Sequence, residues 1–476
     1  MMTSLAEIDI LRAFAVGTSW LVIGVGLIQS AIYLLHLAIA RRVLGRTAIE
    51  PRSETLWQRY SDVAPPIALL VPAYNEEKTI VESVYSLLAL AYPHTEIIVV
   101  NDGSNDRTLD VLIETFRLEP VERSYDLIAP HAEIRSIFGT PRLPRLLVVD
   151  KENGGKADAL NAAINLARSP LIAAIDADSI LDADSLIRAV RPFVNDPLRT
   201  VATGGTVRIA NGCRIKSGRI VGVGLPRNIL ALFQIIEYLR AFLAARLALS
   251  ALNTLTIISG AFGIFRRNVV LAVSGYSLDT VGEDLELVIK IHRHLRDQGE
   301  DYAIGFMPDP VCWTEVPESL ATLGNQRARW QRGALEVFFK HIRMLGNPRY
   351  GRIGFIGFGH MLIVDVFGPV VEVLGYVLIP LFWGLGLLEI GYLLAFLGLT
   401  FSFGVFISVG SLALEEKELR RYADVKSIII LCFAAIAENF GYRQINNFWR
   451  LRGWVQYLRG KKDWGGMVRK GFDPML

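Results

Sequence analysis

The chain has 476 residues, 52% of them apolar, and a mean hydropathy of +0.36. Fifty basic residues against 47 acidic ones leave a net charge of +3, which carries no nucleic-acid signature. The apolar excess is that of membrane segments attached to a soluble part, and the length allows two or three domains. Cys213, Cys312 and Cys432 lie too far apart for a metal-ligand or disulfide pattern, so the soluble part is expected in a reducing cytoplasm.

Residues 16–40 carry no formal charge apart from His36 and are long enough to cross a bilayer. They are too long for a signal-peptide core and lack a cleavage site, so they read as a retained anchor. Arg41, Arg42 and Arg46 follow. The positive-inside rule then places the N-terminus outside and residue 46 onward in the cytoplasm.

After a polar linker over 46–65, short β-branched runs alternate with helical stretches: IALLVPAYN, EIIVVNDGS, RLLVVDKEN and LIAAIDADS. This alternation predicts a parallel, doubly wound α/β sheet with its ligand at the carboxyl ends of the strands. Those ends carry Asn75-Glu76, Asp102, Asp150 and Asp176-Ala177-Asp178. Residues 117–145 read as a surface insertion. Residues 223–256 contain Arg227, Glu237, Arg240 and Arg246, which favours an amphipathic or core helix over a crossing. His292 and His294 form an HxH within a charged stretch and read as a surface helix rather than a metal site.

Two further crossings are expected near 357–387 and 391–413, with Asp365, Glu372 and Glu389 in this apolar stretch. Residues 415–426 read as a polar loop. The next apolar run, 427–437, is too short for an ordinary span and reads as re-entrant or interfacial. Three crossings leave the basic tail inside. The expected division is an anchor over 1–45, a catalytic domain over 46–320, an interfacial helix over 321–352, a membrane region over 353–445 and a basic cytoplasmic tail over 446–476.

Several short stretches suit a particular chemistry. Asp176 and Asp178 offer hard oxygen ligands for Mg²⁺ or Mn²⁺, or else an N-cap pair for a helix starting near Ser179. Asp102 stands where it could bond a ribose or base. Gly154-Gly155-Lys156 opens a helix, an arrangement that favours a diphosphate over an ordinary loop only in company. Glu283-Asp284 begins another helix as an N-cap or as a general base. Gln326, Arg329 and Trp330 share one helical face. Arginine there suits a leaving diphosphate and tryptophan a sugar ring, although an interfacial anchoring helix would also use both residues.

Together VPAYNEE (71–77), VVNDGSND (99–106), GGKADALN (154–161), DADS (176–179), SGAFGIFRR (259–267), GED (282–284) and QRARW (326–330) resemble the membrane-embedded, processive glycosyltransferases of family 2. Poly-N-acetylglucosamine, cellulose, chitin-oligosaccharide and hyaluronan synthases are of this type. The resemblance runs from about residue 67 to 335. It implies a GT-A, Rossmann-like nucleotide-sugar domain (α/β) joined to α-helical transmembrane segments.

By carry-over, Tyr74, Glu76 and Asp102 would hold the uridine, with Lys156 and Asp176 near the nucleotide. Asp178 would bind the divalent metal and Asp284 would be the base. Gln326, Arg329 and Trp330 would lie over the diphosphate and acceptor sugar, and Ser259-Gly260 on the acceptor side. Several relatives have Thr-Glu-Asp where this chain has Gly-Glu-Asp. The implied activity is inverting polymerisation of a β-linked glycan from a UDP-sugar at the inner membrane, with export. N-acetylglucosamine rests on the resemblance alone. The alternatives are transfer of one sugar to a membrane lipid, and a transporter that only senses a nucleotide. Implied partners are the growing glycan or lipid acceptor, membrane lipids, and an accessory subunit or second copy to complete a conduit.

Overall fold

A computed structural model describes residues 5–46, 53–177, 179–216, 219–419 and 424–461. Asp178 and the tail beyond 461 lie outside the described residues, so the expectations placed on them are not addressed by it.

The N-terminal helix runs from Leu5 to Leu44, and a short helix, Ser53–Tyr60, lies in the expected linker. The β-branched runs then form strands β1 (Ile67–Ala73), β2 (Thr95–Asp102), β3 (Glu119–Pro120), β4 (Ile134–Gly139), β5 (Leu146–Lys151), β6 (Leu171–Ile175) and β7 (Ile180–Leu181). They are followed by β8 (Thr200–Ile209), a hairpin of β9 (Arg214–Lys216) and β10 (Arg219–Gly222), β11 (Phe262–Arg266) and β12 (Ala303–Thr314). Among the described residues ten of these strands make one sheet, ordered β3-β4-β5-β2-β1-β6-β11-β8-β12-β7.

The sheet is mixed, which corrects the all-parallel expectation. β5, β2, β1 and β6 are parallel neighbours, but β11 runs antiparallel between β6 and β8. β11 is fully buried over Phe262–Phe265, so its apolar run cannot report strand direction. Residues 117–145 are no mere surface insertion: they supply β3 and β4, which extend the sheet beyond β5. Asn161 and Asn165, inside the helix Lys156–Leu166, fasten this segment by bonding Pro130 O and Ala129 O at 2.9 and 2.8 Å. His292 is fully buried, bonded to Tyr302 Oη at 2.6 Å and to Leu255 O at 2.9 Å. It is a core residue, not part of a surface face, and burial pushes its imidazole down to about 4.

Three helical stretches are long and apolar enough to cross a membrane: Glu7–Leu44, Ile353–Gly384 and Ile390–Lys417. Val425–Ala437 and Tyr442–Leu458 form a pair bent by 57°, either a broken span or a re-entrant turn. The helix Gly404–Glu418 runs into the stretch read as a polar loop from 415. Glu415 is fully buried there because Arg208 of β8 pairs with it. Residues 229–251, helical throughout and broken by a π-helical turn over Leu239–Arg246, lie between the sheet and these membrane helices. Arg240 in that turn pairs with Glu438, which also accepts from Ser408 at 2.6 Å. The sheet is thereby tied to the membrane region by buried ion pairs as well as by apolar contact.

Candidate active site

The loops after β1, β2 and β5 interlock at one edge of the sheet. Asn75 adopts a left-handed backbone (φ 57°), and its side-chain oxygen accepts from Asn105 N at 2.8 Å. Ser104 Oγ and Thr108 Oγ1 accept from the amides of Asn75 and Glu76 at 3.0 and 2.8 Å. Asparagine tolerates the left-handed region better than most residues, which suits this tight crossing. Tyr74 stands 47% exposed on the rim, and half-buried Glu76 accepts from Thr79 Oγ1 at 2.8 Å.

Asp102 ends β2 almost fully buried. Its carboxylate takes Lys151 Nζ at 2.6 Å, Gly154 N at 3.0 Å and Gly155 N at 2.8 Å, while Asn153 Nδ2 donates to its carbonyl at 2.7 Å. Both carboxylate oxygens therefore hold the glycine turn that launches the Lys156 helix. Gly155 has φ 91°, a conformation that glycine adopts without strain.

Lys156, thus placed, reaches across to the end of β6. Its ammonium pairs with Asp176 and lies 3.8 Å from Glu283. The alternative N-cap use of Asp176 is not seen: β7 follows instead of a helix, and the Asp176 carboxylate pairs with Lys156. Burial alone would lower the Lys156 ammonium, but Asp176 and Glu283 raise it, so it is firmly charged.

The helix Glu283–Asp297 points its first turn at the same spot, with Glu283, Asp284 and Glu286 in that turn. Carboxylates are favoured there by the helix dipole. Asp284 Oδ2 accepts from Gly260 N at 3.0 Å and stays half-buried, with surface to spare for a ligand. The approach at Gly260 is close: a Cβ there would lie 3.0 Å from Lys156 Nζ, so the ammonium would have to shift slightly. Burial pushes the Glu283 carboxyl up to about 7, with Asp284 and Asp176 adding to the rise and Lys156 opposing it.

The helix Leu320–Lys340 closes the site. A Cβ on Gly333 would meet Gly282 N at 2.9 Å, and one on Gly282 would meet the Gly333 backbone at 3.2 Å. This backbone-to-backbone contact explains glycine at 282, where threonine would press on the helix. Glu336 secures the same loop by accepting from Thr280 Oγ1 at 2.9 Å and Val281 N at 3.0 Å. Arg329 is half-buried, its guanidinium lowered by burial and raised by Glu283, Asp176 and Asp284, so it shares their field. Trp330 is 45% exposed, and Gln326 is half-buried with its side-chain oxygen unpartnered.

The structure thus brings Lys156, Asp176, Glu283, Asp284 and Arg329 together from four separate segments. Tyr74 and Glu76 stand on the neighbouring rim, and Asp102 lies beneath. Sequence reading gave no role to Gly333, Glu336 or Arg246. The first two could have been found only by asking what Gly282 touches. Arg246 lies over the Phe242 ring at 3.8 Å, and burial lowers its guanidinium to about 10 against the pull of Asp284. No group of three potential metal-ligating side chains occurs among the described residues, of which Asp178 is not one.

Comparison with known proteins agrees with this architecture. A model described as "Glycosyltransferase like family 2" matches residues 65–333, more than half of the chain. The chain is 30% identical over 274 residues to a poly-beta-1,6-N-acetyl-D-glucosamine synthase of Staphylococcus epidermidis, covering 58% of this chain and 56% of that protein. It is 31% identical over 288 residues to the synthase of the same name from Staphylococcus aureus, covering 60% and 59%. The matched region is thus a little over half of each relative's length. Among solved structures, a mannosyltransferase from Pyrobaculum calidifontis in complex with GDP-Man and Mn²⁺ superposes over 95% of this chain and 99% of its own, with a TM-score of 0.51 at 19% identity. That likeness shows the GT-A fold. On the fold and the family match together, the chain belongs to glycosyltransferase family 2.

Proposed function

We propose that this protein is an inverting, UDP-sugar-dependent synthase that builds a β-linked polysaccharide of the N-acetylglucosamine type. The observation that carries this reading is the convergence of Lys156, Asp176, Glu283 and Asp284 beneath Arg329. The names of the staphylococcal relatives support the choice of polymer.

In this reading Tyr74 and Glu76 line the uridine site, and Asp102 acts through the turn it fixes. Lys156 and Arg329 face the diphosphate. Three carboxylates surround Lys156, so a doubly charged phosphate group arriving there calls for further positive charge. Hard oxygen donors at the end of β6 suit Mg²⁺ or Mn²⁺, with Asp178 as ligand and Asp176 beside it. A divalent cation bound there would offset charge on the leaving diphosphate.

The acceptor hydroxyl attacks the anomeric carbon as the bond from that carbon to the diphosphate oxygen breaks. Asp284 takes the hydroxyl proton, and UDP leaves against Arg329 and Lys156. Displacement from the opposite face turns an α-linked donor into a β-linked product. Gln326 and Trp330 receive the acceptor end.

The segments 46–320 and 321–352 act as catalytic domain and closing helix on the cytoplasmic face of the inner membrane. The membrane helices then receive the glycan for export, alone or with an accessory subunit or second copy. The transporter reading takes its motive from Asp365, Glu372 and Glu389 in the apolar stretch, and two of these carboxylates are engaged by neighbouring side chains. Glu372 accepts from Asn447 Nδ2 at 2.7 Å and Tyr376 Oη at 3.0 Å, while Asp365 lies 3.6 Å from His360 Nδ1 and 3.8 Å from Arg450 Nη2. The contacts from Asn447 and Arg450 link packed helices, and those from Tyr376 and His360 lie within the stretch Ile353–Gly384.

The test is UDP release by purified protein across UDP-sugars with Mg²⁺ or Mn²⁺, followed by sizing of the product. Release with UDP-N-acetylglucosamine and a long product is expected. A single added sugar would favour transfer to a lipid, and no release from any UDP-sugar would refute the reading.

A further inference from the structure

Arg327 belongs to the same helix as Arg329 and Trp330; it points away from Arg329, two residues on, and toward Trp330, about one turn on. It is only 3% exposed, and its guanidinium lies 4.3 Å from the centroid of the Trp330 ring. Its Nη2 donates to Glu237 Oε2 at 2.8 Å, and the Tyr442 hydroxyl donates to that same oxygen at 2.8 Å. Its Nε and Nη1 are buried without a hydrogen-bond partner. A buried guanidinium that leaves two donors unbonded is costly unless something else compensates, and here the indole face does.

Three elements meet at this point. Glu237 comes from the helix Ile229–Tyr238, Arg327 from the helix Leu320–Lys340, and Tyr442 from the start of the helix Tyr442–Leu458. Close packing fixes the junction: a Cβ on Gly453 would lie 2.5 Å from Ala328 O, and one on Gly324 would lie 2.7 Å from Trp449 Nε1. Arg327 can hardly move without breaking this junction, whereas Trp330 is 45% exposed with this cation against its ring.

We infer that Arg327, anchored by Glu237 and Tyr442, is a positioning residue that fixes the plane of Trp330 as a platform for the acceptor sugar. This rests on the proposed function for its substrate, but not for its geometry. A planar guanidinium on one face of the ring leaves the other face for the apolar side of a sugar. The same junction carries the closing helix on the C-terminal helices, so acceptor binding and membrane-helix placement share one anchor.

The test uses the full-length protein in nanodiscs, with Arg327→Met, Arg327→Lys and the milder Tyr442→Phe. Short N-acetylglucosamine oligosaccharides serve as acceptor and UDP-N-acetylglucosamine as donor. Arg327→Met is expected to raise the acceptor KM by roughly three- to thirtyfold and to shorten the product, with the donor KM nearly unchanged. Arg327→Lys, which keeps a cation over the ring, should recover part of the loss. Tyr442→Phe, which removes one hydroxyl, keeps the test alive if Arg327→Met does not fold. A fall in turnover with acceptor KM and product length unchanged would overturn the inference.

A second readout needs no activity. Acrylamide quenching of tryptophan fluorescence should change between parent and Tyr442→Phe, and the change should vanish in a Trp330→Phe background. If it persists there, or never appears, Trp330 is not positioned this way. If quenching behaves as expected but the parent releases no UDP, the functional reading fails and the positioning stands.

Discussion

Asp284 combines a helix N-terminus behind it, backbone donors that fix its carboxylate (Gly260 N at 3.0 Å and Leu285 N at 2.8 Å), and remaining surface for a ligand. Asp284→Asn keeps its shape and removes the proton acceptor. Turnover should fall by roughly 10²–10⁴ while calorimetric UDP affinity stays the same; normal polymerisation by the variant would exclude the role. Its neighbour Glu283 makes a different prediction. Its folded-state value of about 7 lies above the ordinary 4.5, so the fold favours the neutral acid. Its contribution to stability is then fully present below pH 4.5 and lost as pH rises through about 7. Glu283→Gln, which cannot ionise, should flatten the fall in Tm across that window. Parallel curves for parent and variant would contradict the assignment.

Between elements, the contacts that matter are of two kinds, backbone against backbone and charge against charge. Gly333→Val would place a Cβ 2.9 Å from Gly282 N and push the closing helix away from Asp284. A loss of about 1–3 kcal/mol of stability is expected, with a larger loss of activity than of UDP binding; unchanged activity would mean the contact does not set the site. Glu415→Leu would leave Arg208 buried and unpaired, which costs roughly 3–5 kcal/mol, read as a lower Tm in detergent. Arg208→Met in addition should restore most of it. If the single change costs nothing, the pair does not tie the sheet to the membrane helix. The sequence showed the two kinds of contact unequally. The βα loops were legible because each strand ends in polar residues at regular intervals. The antiparallel β11, the strands within 117–145 and the buried His292 were not, because an apolar or charged run carries no record of its partner. Lys156 and Asp176 were expected near one nucleotide, but their direct pairing was not, since it joins residues from separate loops.

At the scale of the molecule, the expected crossings near 16–40, 357–387 and 391–413 correspond to three long apolar helices. The bent pair after 424 returns Tyr442–Leu458 to the closing helix, where Arg450 donates to Gln331 Oε1 at 2.7 Å. A helix held there is suited to a re-entrant turn rather than to export of the basic C-terminal segment. In a variant with Cys213, Cys312 and Cys432 replaced, a cysteine at Glu389 should react with an impermeant maleimide from outside and one at Arg459 only after permeabilisation. Outside labelling at Arg459 would make the bent pair a full crossing. The account as a whole depends on one nucleotide seated among groups drawn from four segments. The most direct measurement is a structure with UDP and Mn²⁺ bound, the ion located by its anomalous scattering. The account predicts the diphosphate between Lys156 and Arg329, with Mn²⁺ at Asp178 beside Asp176 and Asp284 facing the open side. UDP seated elsewhere, with those side chains apart from it, would contradict it.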